Sequence, residues 1–204
     1  MSAWRPSYNG MMKTMGFALL LIALPALAQH EHHAIAAAAT TAISSVKLDI
    51  VDVPVIDQTG ASRHFYTDLV KDRVVVMNFI FTTCTTICPT MGATFARVQR
   101  LLGDRKVTLI SVSVDPATDT PQRLDAWSRK LDARPGWTLV TGDKPEIDRL
   151  LKSLGVFTPS RETHTPTVLV GDAHSGRWQR ASGFATPATI VSLIDQVTKT
   201  GSEQ

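Results

Sequence analysis

"VVVMNFIFTTCTTICPTM", Val74 to Met91, contains the only two cysteines of this 204-residue chain and a change of hydrophobic period. Its first eight residues, Val74 to Phe81, are nearly all apolar and rich in β-branched side chains, the pattern of a strand covered on both faces. From Pro89 the apolar residues Met91, Phe95, Val98 and Leu101/Leu102 recur at three- and four-residue steps. Gly103 follows as a stop, so this stretch predicts a helix. Cys84 and Cys88 stand in the loop between strand and helix, and Pro89, suited to a first helical turn, puts Cys88 at or next to the helix N-terminus.

Outward from this unit the chain alternates strands and helices. "VTLISVSV", 107–114, is a second buried strand, and "WTLV" and "PTVLVGD" are two more. "TPQRLDAWSRKL" and "TPATIVSLIDQVTK" open alike, with Thr120 or Thr186 as cap and proline at the first helical position. "KPEIDRLLKSLGV" is a further helix ending near Gly155. "DAHSG" turns the chain back into "RWQRAS", a β-hairpin, and "VPVI" and "RHFY" flank an Asp57–Gly60 turn in another hairpin near the start. The expected fold is α/β, a mixed sheet flanked by helices with an N-terminal β-hairpin extension.

Residues 1–28 read as an export signal: Lys13 supplies charge, Met15 to Leu24 an apolar run, and Ala26-Leu27-Ala28 a cleavage pattern. The run, broken by Pro25, falls short of a membrane span. If it were retained, the chain would be anchored and face the same exported compartment. Residues 29–45 are a His/Ala-rich linker without amphipathic period, in which His30, His32 and His33 form a cluster that could collect Cu(II) or Zn(II) or be a solvated tail. The domain itself is placed at 46–200. Loss of Arg5 and Lys13 with the signal lowers the formal charge from +3 to +1, and no basic block interleaved with aromatics suggests nucleic acid as a partner.

Export implies an oxidising compartment, yet a bridge across four positions constrains little of the unfolded chain, so the cysteines are better explained by chemistry than by stapling. At a helix N-terminus both thiols are expected to be more acidic than a free cysteine. If the segment is helical their Cα atoms lie about 6 Å apart, within disulfide reach, and the same spacing allows two thiolates to grip a soft ion such as Cu(I). Spacing alone leaves electron exchange and metal holding open. His164, two residues before Pro166 and just ahead of a strand, is a candidate third ligand or an exposed loop residue. His64 and His174 read as strand-face and turn residues.

"FIFTTCTTICPTM", then "ISVSVDPATDTPQRL", then a lone histidine before a strand, resemble the SCO/SenC family of exported thioredoxin-like proteins over residues 46–198. The resemblance implies a thioredoxin-like fold and a copper site, Cu(I) or Cu(II), made by Cys84, Cys88 and His164. It also implies a periplasmic role in delivering copper to the subunit of cytochrome c oxidase that carries the binuclear copper centre, or to another copper or thiol client, with transient membrane-protein contact. Asp115 and Asp119 match the family's "SVDP" and "DTP" aspartates and read as structural residues or as partners behind the ligands. Thr85, Thr86 and Ile87 make the intervening segment less acidic than a C-P-D-x-C-P pattern, and Pro166 brings the histidine loop closer to that of thioredoxins.

Two other activities fit the cysteines. A thiol-disulfide oxidoreductase would use Cys84 and Cys88 as a redox dithiol that keeps client cysteines reduced. A peroxidase would use the T-x-x-C-P core with Cys88 as the peroxidatic sulfur, but Phe81 stands where that family has proline.

Overall fold

The computed structural model describes residues 43–199. The expected signal peptide, the cluster His30, His32 and His33, and nearly all of the linker lie outside the described residues.

In chain order the elements are β1 (Ser44–Val46), β2 (Pro54–Asp57), β3 (Ser62–His64), β4 (Val74–Ile80), α1 (Ile87–Leu102), β5 (Val107–Ser113), α2 (Pro121–Lys130), β6 (Trp137–Thr141), α3 (Lys144–Ser153), β7 (Thr167–Asp172), β8 (Arg177–Ser182) and α4 (Pro187–Thr198). The threonine-proline starts behave as expected. Thr120 Oγ1 accepts the N–H of Arg123 at 3.3 Å and Thr186 Oγ1 that of Thr189 at 3.1 Å, each satisfying a donor that the first helical turn leaves unpaired.

The strands form one mixed sheet in the order β1-β8-β7-β4-β5-β6-β2-β3. β4 lies parallel to β5 and antiparallel to β7. Because successive side chains in a strand point to opposite faces, the nearly continuous apolar run of β4 feeds two layers. Val76 and Ile80 join Phe95, Leu124 and Ile190 from α1, α2 and α4. Val75, Met77 and Phe79 join Ile147 and Leu150 from α3, together with Phe65 and Val70 from a single helical turn after β3. On α1, Met91, Phe95, Val98 and Leu102 are buried as the period requires, whereas Leu101 faces solvent.

The hairpin β2–β3 forms one edge of the sheet, paired through β2 to β6. Its second strand is shorter than "RHFY" suggested, because Asp52 accepts from Tyr66 N–H at 2.8 Å and Thr67 Oγ1 at 2.6 Å and so caps a helical turn there. At the other edge β1 pairs antiparallel with β8, placing Ser44 opposite Arg180. Two residues that read as linker are thus part of the sheet, since edge pairing uses backbone groups that every residue carries.

β8 also ties down two helix ends. Arg177 donates twice to the Val197 carbonyl in α4, at 2.9 and 2.6 Å. Arg180 donates to the carbonyls of Leu154 and Gly155, just past α3, at 2.9 and 3.1 Å. Cationic donors at helix C-termini satisfy orphan carbonyls and favour the dipole. Between these arginines Trp178 lies across Gly171 so closely that a Cβ there would come within 2.1 Å of the indole. Gly171→Ala is expected to destabilise the domain by about 1–3 kcal/mol in urea unfolding; an unchanged midpoint would mean that the indole repacks freely.

Candidate metal centre

The loop after β4 is built by two anchors. The Phe81 carbonyl accepts the N–H of Cys84 at 3.1 Å, turning the chain out of the strand. Asp119, 1% exposed, then holds Thr82: one carboxylate oxygen accepts its N–H at 3.0 Å and its hydroxyl at 2.6 Å, and the other accepts Ser113 Oγ at 2.6 Å. The family-like aspartate is therefore a brace between the cysteine loop and the end of β5, which matches its structural reading.

At the start of α1, Thr86 makes no side-chain capping bond. Cys84 Sγ takes that role and accepts the N–H of Cys88 at 3.3 Å. Both cysteines are free thiols, Cys84 8% exposed and Cys88 wholly buried. Burial pushes the Cys84 thiol up, but donation from the Cys88 thiol and N–H and from Thr86 outweighs it and brings Cys84 below the ordinary value. Cys88 goes the other way: burial first, then its bond to Cys84 and the nearby charge of Cys84 and Asp119, raise it to about 12. The expectation that both thiols are acidified is thus corrected. Hydrogen bonds at the start of α1 lower Cys84, while desolvation governs Cys88 because its side chain is wholly buried.

His164 follows a short helical turn, Arg161–Thr163, capped by Ser160. It is 6% exposed, so the exposed-loop alternative does not hold. Its Nδ1 lies 2.6 Å from the Arg161 carbonyl oxygen. A carbonyl can only accept, so in the neutral ring Nδ1 carries the proton and Nε2 is left with its lone pair. That Nε2 is buried and has no hydrogen-bond partner. Native structures rarely leave such an atom unpaired without a functional reason.

The three residues share one region of the molecule. The Phe81 ring, next to the cysteine loop, meets the His164 ring edge-on at 5.7 Å. Pro166 and Met91 both lie against Gly183, at 2.7 and 3.0 Å from where a Cβ would lie, which brings the histidine loop near the start of α1. The cysteines are in contact and His164 is reached through Phe81. Among the described residues, however, no three His, Cys, Asp or Glu side chains stand close enough to form a ready-made metal site. His64 and His174 are exposed, His64 with a 3.9 Å contact to Asp52. No helix among the described residues is long and apolar enough to cross a membrane.

Sequence reasoning missed Phe81 and Arg161 as parts of this region. Phe81 read as the end of a strand and as the residue in place of the peroxidase proline, not as a neighbour of the histidine, and an arginine in a polar loop carries no signal of its own.

A family model described as SCO1/SenC matches residues 55–197. A protein of Stutzerimonas stutzeri, provisionally named copper-binding, is 30% identical over 165 residues that cover 78% of this chain and 77% of that protein. The solved structure of BsSco, described as a member of the Sco family of cytochrome c oxidase assembly proteins with a disulfide switch, is 25% identical with a TM-score of 0.64; the match covers 76% of this chain and 95% of that one. Bradyrhizobium japonicum ScoI, solved with copper bound, is 26% identical with a TM-score of 0.59 and coverages of 72% and 99%. The expected thioredoxin-like mixed sheet is therefore the fold of this chain, and the span and length of these matches are enough to assign it: the chain belongs to the SCO1/SenC family.

Proposed function

We propose that the chain is an exported metallochaperone that carries copper as cargo between Cys84, Cys88 and His164. It passes the ion to a copper protein in the assembly of cytochrome c oxidase. The observation that carries this reading is the buried Nε2 of His164, left bare while Nδ1 is held by a carbonyl, across the Phe81 ring from the loop that bears a contacting pair of free thiols. Copper in the related ScoI structure and the copper-binding name of the S. stutzeri relative support the choice of ion. Two thiolates favour Cu(I), and an added imidazole supports Cu(II). Because the three groups are not closed around a point, loading draws the histidine loop and the sulfur pair together.

The test is titration of the reduced domain with Cu(I) and Cu(II). Cys84→Ala and Cys88→Ala are each expected to abolish stoichiometric binding, and His164→Ala to weaken Cu(II) more than Cu(I). Wild-type behaviour in all three variants would overturn the assignment. Cys88 keeps its proton to about pH 12, so binding displaces at least that proton at neutral pH. Affinity should accordingly rise with pH, and proton release into a weak buffer should be measurable by calorimetry.

A second reading rests on the unequal thiols. As an oxidoreductase, the Cys84 thiolate would attack a client disulfide and expel one client thiolate. Cys88, losing its proton, would then attack the Cys84 sulfur of the mixed disulfide. The client would leave as a dithiol and the chain would keep the Cys84–Cys88 disulfide. The disulfide switch described for BsSco favours this chemistry. His164→Ala should leave such a rate nearly unchanged, and this separates the two readings.

A further inference from the structure

The copper reading leaves open what keeps the His164 ring in its metal-ready form, and the answer is in the loop that precedes it. The Arg161 guanidinium reaches away from its own short turn and donates to the Asp115 carboxylate, with Thr118 Oγ1 at 3.4 Å from the same nitrogen. It also lies over the Phe81 ring, 5.5 Å from its centroid, and its Nε donates to Glu162 at 2.8 Å. The carbonyl of this same residue receives Nδ1 of His164. Asp115 in turn donates its backbone N–H to Ser113 Oγ at 3.1 Å, and Ser113 donates to Asp119, the brace of Thr82. A continuous hydrogen-bonded chain thus runs from the cysteine loop through Thr82, Asp119, Ser113, Asp115 and Arg161 to His164.

We infer that Arg161 is a positioning residue for the copper site: its side chain, clamped on Asp115 and Phe81, aims its carbonyl at Nδ1 and so keeps Nε2 of His164 bare. This rests on the metallochaperone reading for its purpose, although the hold on the ring is a property of the protein without metal. The Arg161 side chain is 36% accessible and joins two surface loops, so solvent screens the pair and its loss should loosen the loop and leave the domain folded. Without the clamp the ring can exchange tautomers and turn away. Metal binding must then order it, and because losing the outer partner of a ligating histidine outright costs roughly 10- to 100-fold in affinity, loosening that partner should cost up to that range.

The test uses the whole exported domain. Nitrogen NMR of the metal-free, reduced wild type should show His164 in a single tautomer with its proton on Nδ1. Arg161→Ala should give a mixture of tautomers, and a Cu(II) affinity lower by up to roughly 10- to 100-fold with weaker nitrogen hyperfine coupling in its paramagnetic resonance. Asp115→Asn breaks the clamp from the other side, keeps Arg161, and should reproduce both changes. Arg161→Lys, which restores a cation to Asp115, should recover part of each. If Arg161→Ala and Asp115→Asn both keep the single tautomer and wild-type copper affinity, the inference is overturned. His164→Ala separates the two claims: if that variant binds copper as wild type does, the three-ligand reading fails, while the metal-free NMR result still decides whether Arg161 holds the ring.

Discussion

Iodoacetamide added to the reduced, folded domain at neutral pH is expected to alkylate Cys84 at least about 100-fold faster than Cys88, because only the thiolate reacts. The two sulfurs are four positions apart but differ in environment. Cys84 receives hydrogen bonds at the start of α1 and is partly accessible, whereas Cys88 is buried and its thiol is raised to about 12. A group with that pKa is ionised to roughly one part in 100,000 at pH 7. Peptide mass spectrometry at timed intervals reads both rates, and equal rates in the folded protein would refute the asymmetry. The pH dependence carries a sign as well. The Cys88 thiol is raised in the fold, so its stabilising contribution is complete below the pKa of an unfolded cysteine and is lost as pH rises from about 9 toward 12. The lowered pKa of Cys84 acts in the opposite direction, adding stability above the ordinary thiol value. The reduced domain should therefore lose stability between pH 9 and 11, and Cys88→Ser should lose less.

Asp119→Ala should be the most damaging single change near the site, lowering stability by about 3 kcal/mol or more. It leaves the Thr82 N–H and two hydroxyls without an acceptor, and each buried unsatisfied polar group costs about 1–3 kcal/mol. For a domain of this size that corresponds to a melting temperature lower by roughly 6–12 °C. Asp119→Asn keeps an oxygen toward Thr82 and should cost less than half as much. It also removes a negative charge that raises the Cys88 thiol, so Cys88 alkylation should quicken in this variant. A melting temperature unchanged in Asp119→Ala would show that the cysteine loop does not depend on the brace.

What could be read from residues alone was what depends on near neighbours. The nearly unbroken apolar run of β4 implied a strand covered on two faces, the three- and four-residue steps of α1 a helix, and Thr120-Pro121 and Thr186-Pro187 two capped starts. Each is a period or a hydrogen bond spanning a few residues, and each is found in the fold. Edge pairing escaped notice, because Ser44 to Val46 joins β8 through backbone groups that leave no mark on side-chain pattern. So did the length of β3, cut short by an aspartate that precedes β2. The unequal thiols show the limit most directly. A helix N-terminus is legible four residues away, but the burial that raises Cys88 is set by strands and helices distant in sequence. The same holds for His164, whose type and place before a strand were visible. The bond that leaves its Nε2 bare, and the clamp that runs from Arg161 to Asp115, exist only once three loops meet at one end of the sheet. Sequence alone determined which atoms could do chemistry here; tertiary packing decided their protonation and orientation, because desolvation and long-range hydrogen bonds are properties of neighbours in space.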